Sequence, residues 1–115
     1  MTDPERTRVC LSIAGSDSGG GAGIQADLKA FAAAGVHGAT AITAITAQNT
    51  REVVAVEAVS PEMIVAQVRA VVDDLGVDAV KIGMLGTVAS AEAVGEALAL
   101  LPAGTPIVVD PVMVA

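Results

Sequence analysis

The chain of 115 residues contains no Trp, no Tyr, one Phe and one Cys. With a single aromatic side chain it lacks the stacking platforms on which single-stranded nucleic acids are held. A lone Cys10 excludes an internal disulfide framework and fits a reducing cytoplasm. Positive charge is scarce too. Six Lys and Arg stand against thirteen Asp and Glu, for a net charge of −7. That leaves no basic footprint for nucleic acid or for an anionic membrane surface. No CxxC, HExxH or GxSxG pattern occurs, which removes the common zinc and acyl-transfer centres. Long uncharged runs are also missing. The longest, between Lys29 and Arg51, has 21 residues and is interrupted by Gly35, His37, Gly38, four Thr, Gln48 and Asn49. It is therefore no membrane-spanning helix. The N-terminal MTDPERTRV is polar and carries both signs, unlike a signal peptide.

What the chain has in excess is apolar residues. They make up 53% of the sequence. The twelve glycines bring the total to about 63%, against roughly 45–50% in ordinary soluble domains. The pattern explains part of this. Residues 8–14 form a short apolar run and predict a buried strand, followed by a Gly-rich turn over 15–23. Residues 22–34 change to a helical period, with Ile24, Leu28, Phe31 and Ala32 on one face and Gly35 as the stop. Residues 38–46 return to β-branched residues and predict one second strand. A polar turn and a further β-prone run, 53–59, come next.

Ser60, Pro61 and Glu62 start a helix that runs to about Leu75. Its apolar stripe is Ile64, Val65, Val68, Val71, Val72 and Leu75, with Gln67 on or beside the polar face. A third strand is predicted over 78–83, and a helix capped by Ser90 turns Val94, Leu98 and Leu101 inward. A last strand covers 106–110. Strands alternating with helices imply an α/β fold with a parallel sheet covered on both faces. The last strand has no helix after it, so the sheet is expected to be incomplete within these 115 residues.

Several residues stand where chemistry would be. The loop 15–23 follows a strand and opens a helix, and four of the five residues 19–23 are glycine. Strand carboxyl ends are where ligands sit in such sheets, and a helix N-terminus favours anions. A flexible turn without a ligand is the alternative. A Walker A loop is excluded, because Gly21 and Ala22 stand where Lys and Ser/Thr belong. A dinucleotide fingerprint reads only as Gly21, Gly23 and Ala26, with no acid ending the second strand. Gln48 and Asn49 follow that strand. A carboxamide reads a heterocycle edge with donor and acceptor together, but an ordinary polar turn has the same composition. Lys81 lies in an apolar run and needs a partner. Asp110 ends a strand, where α/β kinases place carboxylates for Mg²⁺ or phosphate, although a structural ion pair is equally open. Cys10, inside the first strand, reads as a buried inert thiol, and His37 as a turn residue.

Residues 13–50, IAGSDSGGGAGIQADLKAFAAAGVHGATAITAITAQNT, closely resemble the opening of hydroxymethylpyrimidine and phosphomethylpyrimidine kinases. KIGML (81–85) and VVDPVM (108–113) recur in that family at similar spacings. The resemblance implies a ribokinase-like fold and a place in thiamine biosynthesis. It implies transfer of a phosphoryl group from MgATP to 4-amino-5-hydroxymethyl-2-methylpyrimidine and then to its monophosphate. By motif, Gln48 would bond the aminopyrimidine edge. Gly15, Ala22, Met84 and Val112 would line the same pocket, with Asp17 beside it. Asp110 would face the phosphate and Mg²⁺. Family members are more than twice as long, and their second half carries a Gly-rich anion hole, the catalytic residue and most of the ATP pocket. The chain is accordingly expected to be the N-terminal, substrate-binding half of one domain (residues 1–115), inactive by itself, with no catalytic residue. Cys10 does not match the family's catalytic Cys. A related pyridoxal or sugar kinase, a non-catalytic binding or assembly module, and a dinucleotide-dependent oxidoreductase remain as other readings. The oligomeric state, a homodimer included, is left open.

Overall fold

The computed structural model describes residues 6–110. Four strands form a parallel sheet in the order β2-β1-β5-β6: β1 is Val9–Ala14, β2 His37–Ile42, β5 Ala79–Ile82 and β6 Ile107–Val109. Between them lie α1 (Gly23–Ala33), α2 (Pro61–Asp74) and α3 (Val88–Leu98). Strand side chains alternate between faces. On one face Leu11, Ile13, Ala41, Val80 and Ile82 pack with Ile64 and Val68 of α2 and with Ala93, Val94 and Ala97 of α3. Each such buried Val, Leu or Ile contributes about 1.5–3 kcal/mol. The alternate residues of β1 point to the other face, where the Ser12 hydroxyl meets Asp27 of α1. Around β1 and β2 the sheet is thus covered on both sides, as the alternation predicted, whereas Ile107, Val108 and Val109 of β6 are exposed.

The expected single strand over 38–46 is in fact two. β2 ends at Ile42, and β3 (Ala44–Gln48) leaves the sheet to pair antiparallel with β4 (Val53–Ala58). No Gly or Pro marks the break. Thr43 makes it through tertiary bonds. Its N–H donates to the Ala14 carbonyl, its hydroxyl to the Met84 carbonyl at 2.7 Å, and its own carbonyl accepts from Val59 N–H. The β3–β4 hairpin stands apart from the parallel sheet, with Ile45, Val54 and Val56 exposed.

Three local expectations also change. The helix over 88–98 is capped by Thr87, whose Oγ1 accepts from Ser90 N–H at 2.9 Å, so Ser90 lies in the first turn rather than before it. Gln67 is not a solvated polar residue. Its carboxamide accepts from Ile42 N–H and donates to Ile42 C=O, fastening α2 to the end of β2. Ala32 and Leu75, expected to face inward, are exposed. Among the described residues no helix is long and apolar enough to cross a membrane.

Candidate functional site

A cavity of about 330 Å³ opens at the carboxyl ends of β1, β3 and β5, within the usual size of small-molecule sites. Gly15 reaches it from the end of β1, Ala22 from the loop before α1, Gln48 from the end of β3, Met84 from the segment after β5 and Asp110 from the end of β6. Five of the seven residues that the family resemblance assigns to the site therefore line one cavity, and Lys81 lines it too. Asp17 lines a shallower neighbouring depression that shares Ala22 and Gln48 with it. Val112 lies outside the described residues.

The Gly-rich loop is closed around its own anion. Asp17 is 5% exposed. Its Oδ1 accepts from Gly19 N–H at 2.8 Å, and its Oδ2 from Gly21 and Ala22 N–H at 2.9 and 2.7 Å. Burial alone would raise the Asp17 carboxyl, but the backbone donors of Gly19, Ala22, Gly21 and Gly20 outweigh it and hold the group below its ordinary value. These amides, which a sequence reading offers to an external anion, are already occupied. Ala22, the N-cap of α1, has no side chain with which to cap the helix. The Gly15 carbonyl serves in that place by accepting from Ile24 N–H at 3.0 Å. The chain passes this point only at Gly23, with φ +57°, where a Cβ would come within 2.5 Å of that same carbonyl.

The cavity floor carries a charged cluster of which sequence reasoning found only part. Lys81 Nζ donates to Asp27 Oδ2 at 3.1 Å and stands 4.0 Å from Asp110 Oδ2. The Ser12 hydroxyl donates to the same Asp27 oxygen at 2.6 Å. Lys81 thus has the partner its apolar setting demanded. Asp27 and Ser12 were missed. The available signal was a carboxylate on the inward stripe of α1, three residues after Ile24 and four before Phe31, where only a buried partner makes it tolerable. Asp110 is fixed by its own N–H, which donates to Ile82 C=O at 2.8 Å.

β3 reaches the cavity through loop hydroxyls. Ser16 N–H donates to Ala44 C=O, the Thr46 hydroxyl donates to Ser16 C=O at 2.6 Å, and Thr46 N–H donates to Ser16 Oγ. The β3–β4 register shifts between Ala47 and Gln48, where Val54 is skipped. Such bulges re-aim side chains beside binding sites. Among the described residues the Gln48 carboxamide has no hydrogen-bond partner, so both its donor and its acceptor are available to a ligand.

The phosphomethylpyrimidine kinase family profile matches residues 17–115. The chain belongs to that family. A hydroxymethylpyrimidine/phosphomethylpyrimidine kinase of Rhizobium meliloti is 62% identical over 109 residues, covering 95% of this chain and 40% of the relative. The crystal structure of a phosphomethylpyrimidine kinase from Clostridium difficile superposes with a TM-score of 0.86 at 49% identity, over 95% of this chain and 47% of that one. A pyridoxal kinase from Staphylococcus aureus, in complex with AMP-PCP, superposes with a TM-score of 0.82 at 37% identity, over 96% of this chain and 40% of that one. The family member described here therefore has the ribokinase-like α/β architecture and spans about 40% of the length of the curated relatives it matches.

Proposed function

We propose that residues 1–115 form the substrate-recognising half of a single ribokinase-like domain. In the whole enzyme, 4-amino-5-hydroxymethyl-2-methylpyrimidine and its monophosphate accept a phosphoryl group from ATP, a step of thiamine biosynthesis in the cytoplasm. The observation that carries this reading is Gln48. Its unpartnered carboxamide lines a cavity of about 330 Å³ whose wall is small or apolar at Gly15, Ala22 and Met84 and whose floor is charged at Asp27, Lys81 and Asp110. An aminopyrimidine edge offers a matching donor and acceptor.

The described residues contain no group of three or more metal-ligating side chains. Mg²⁺ is usually held by one or two carboxylates together with water and nucleotide phosphates. Asp110, 60% exposed at its side chain, would be its ligand or would hold one of its waters. The ion supplies charge neutralisation at the transferred phosphoryl group. Lys81 keeps Asp110 beside the cavity mouth, and Asp17 holds the loop that forms the wall. The partner is a small molecule rather than nucleic acid or membrane.

The test is calorimetric titration of the 115-residue chain with the hydroxymethylpyrimidine. Saturable binding is expected, and Gln48→Ala should weaken it by about 1–3 kcal/mol, the cost of an unmade polar contact. Unchanged affinity in the variant refutes the assignment. Pyridoxal is titrated in parallel, because a pyridoxal kinase is among the similar structures; tighter binding of pyridoxal would favour that second reading.

A further inference from the structure

The loop that carries Asp17 also carries Ser18, an exposed residue with two short bonds. Its hydroxyl donates to Gln48 C=O at 2.6 Å and accepts from Gln48 N–H at 2.7 Å. One side chain thereby satisfies both backbone polar groups of one residue, 30 positions away. The hydroxyl is used at both its donor and an acceptor site. It does so on the edge of β3 that β4 does not cover, and at the bulge where the β3–β4 register is lost. Gly19 supports the same junction. A Cβ there would stand 3.2 Å from Asn49 Cα and 3.3 Å from Gln48 O, so the loop and the strand end are packed backbone to backbone. Ser18 is in turn fixed by its neighbours, since Asp17 takes the N–H groups of Gly19, Gly21 and Ala22.

We propose that Ser18 is a positioning residue for substrate recognition: its hydroxyl clamps the Gln48 backbone to the Gly-rich loop and thereby fixes where the Gln48 carboxamide meets the pyrimidine. The clamp itself is a property of the chain. Its consequence for binding rests on the function proposed above. Ser18 lines neither the cavity nor the neighbouring depression and acts through Gln48 alone.

The experiment uses the 115-residue chain, its Ser18→Ala, Ser18→Thr and Gln48→Ala variants, and the double variant. Amide exchange by NMR reads the clamp without any ligand. The Gln48 amide should be protected in the parent and in Ser18→Thr, and should exchange about tenfold faster in Ser18→Ala, with Leu11 and Val80 unchanged as controls for folding. Titration with 4-amino-5-hydroxymethyl-2-methylpyrimidine reads the positioning. Ser18→Ala should weaken binding about tenfold, as loss of one or two such bonds implies. Ser18→Thr should stay within about threefold, and Ser18→Ala should cost less than about twofold once Gln48 is already Ala. A merely structural serine would weaken binding equally in both backgrounds, and that result overturns the proposal. So does a Gln48 amide indifferent to Ser18→Ala. If the parent takes no pyrimidine, the proposed function fails, and the exchange arm then decides the clamp by itself.

Discussion

Lys81→Met removes the only cation that the described residues place on the cavity floor and keeps most of the side chain's volume. The magnitude follows from the surroundings. Lys81 and Asp27 are 24% and 15% exposed at the side chain, 3.1 Å apart. At an effective dielectric of about 20, a contact of that length is worth roughly 5 kcal/mol before desolvation is subtracted. Breaking a fully buried pair by removing one partner costs about 3–5 kcal/mol, whereas an exposed pair is worth about 0–1. The intermediate burial here, with the Ser12 hydroxyl still donating to Asp27, places the loss near 2 kcal/mol. For a chain of this size that is a fall in Tm of roughly 10 °C. Because the chain has no Trp or Tyr, unfolding is followed by far-UV circular dichroism in urea. Asp27→Asn in the Lys81→Met background should recover at least about half of the loss, because a neutral amide no longer needs a counter-charge and still accepts from Ser12. A Lys81→Met chain within about 0.5 kcal/mol of the parent refutes the argument, as does a double variant no more stable than the single.

Two further outcomes test other parts of the structure. The Asp78 carboxyl is lowered first by its bond from Arg6, then by Val9 N–H, with Arg6 and Arg8 charges adding to this against opposing burial. A depressed folded value means stability that is present above about pH 4 and lost as pH falls through the folded value. Asp78→Asn should therefore flatten the stability profile below about pH 4 and lower stability at neutral pH; an unchanged acid limb in urea titrations contradicts it. Thr87→Ala should destabilise by about 1 kcal/mol, the usual cost of a lost N-cap, and by more than Ser90→Ala; the reverse order in thermal melts would restore Ser90 as the cap.

Where local chemistry decides an element, the sequence was sufficient. The Ser60-Pro61-Glu62 start of α2 is an N-cap whose hydroxyl accepts from Met63 N–H. The helical period over 22–34 is α1 to within a residue at each end. Where tertiary bonds decide, it was not. The residues of 38–46 are β-prone throughout, and only the three bonds of Thr43 divide them between two sheets. Gln67 looks like any surface carboxamide until the end of β2 arrives beside it. At the site, motif positions gathered Gly15, Ala22, Gln48, Met84 and Asp110 around one cavity. Asp27 escaped because a periodicity that weighs apolar residues passes over a carboxylate on the same stripe. The apolar surplus is likewise only half explained by the two-sided sheet. Part of it is displayed at Val108 and Val109 of β6 and at Val88, which are 61–76% exposed.

The site lies across a seam. β1, β5 and β6 are joined by the parallel ladder, but β3 belongs to a different sheet, so no ladder fixes Gln48 relative to Gly15, Met84 or Asp110. Charges are too few to do it, at 17% of the residues. Hydroxyls bridge the gap instead. Thr43 joins the β2–β3 corner to the Met84 carbonyl, Ser16 and Thr46 join the loop to the middle of β3, and Ser18 joins it to the end. Each such bond contributes only about 0.5–1.5 kcal/mol net, but each fixes an atom rather than an area. Burial decides that the two sheets exist, and the four hydroxyls of Thr43, Ser16, Thr46 and Ser18, with the Ser16 N–H bond to Ala44 C=O, decide how the cavity between them is shaped. Loss of one should therefore register in ligand affinity sooner than in stability, which is the distinction the Ser18 variants are built to measure.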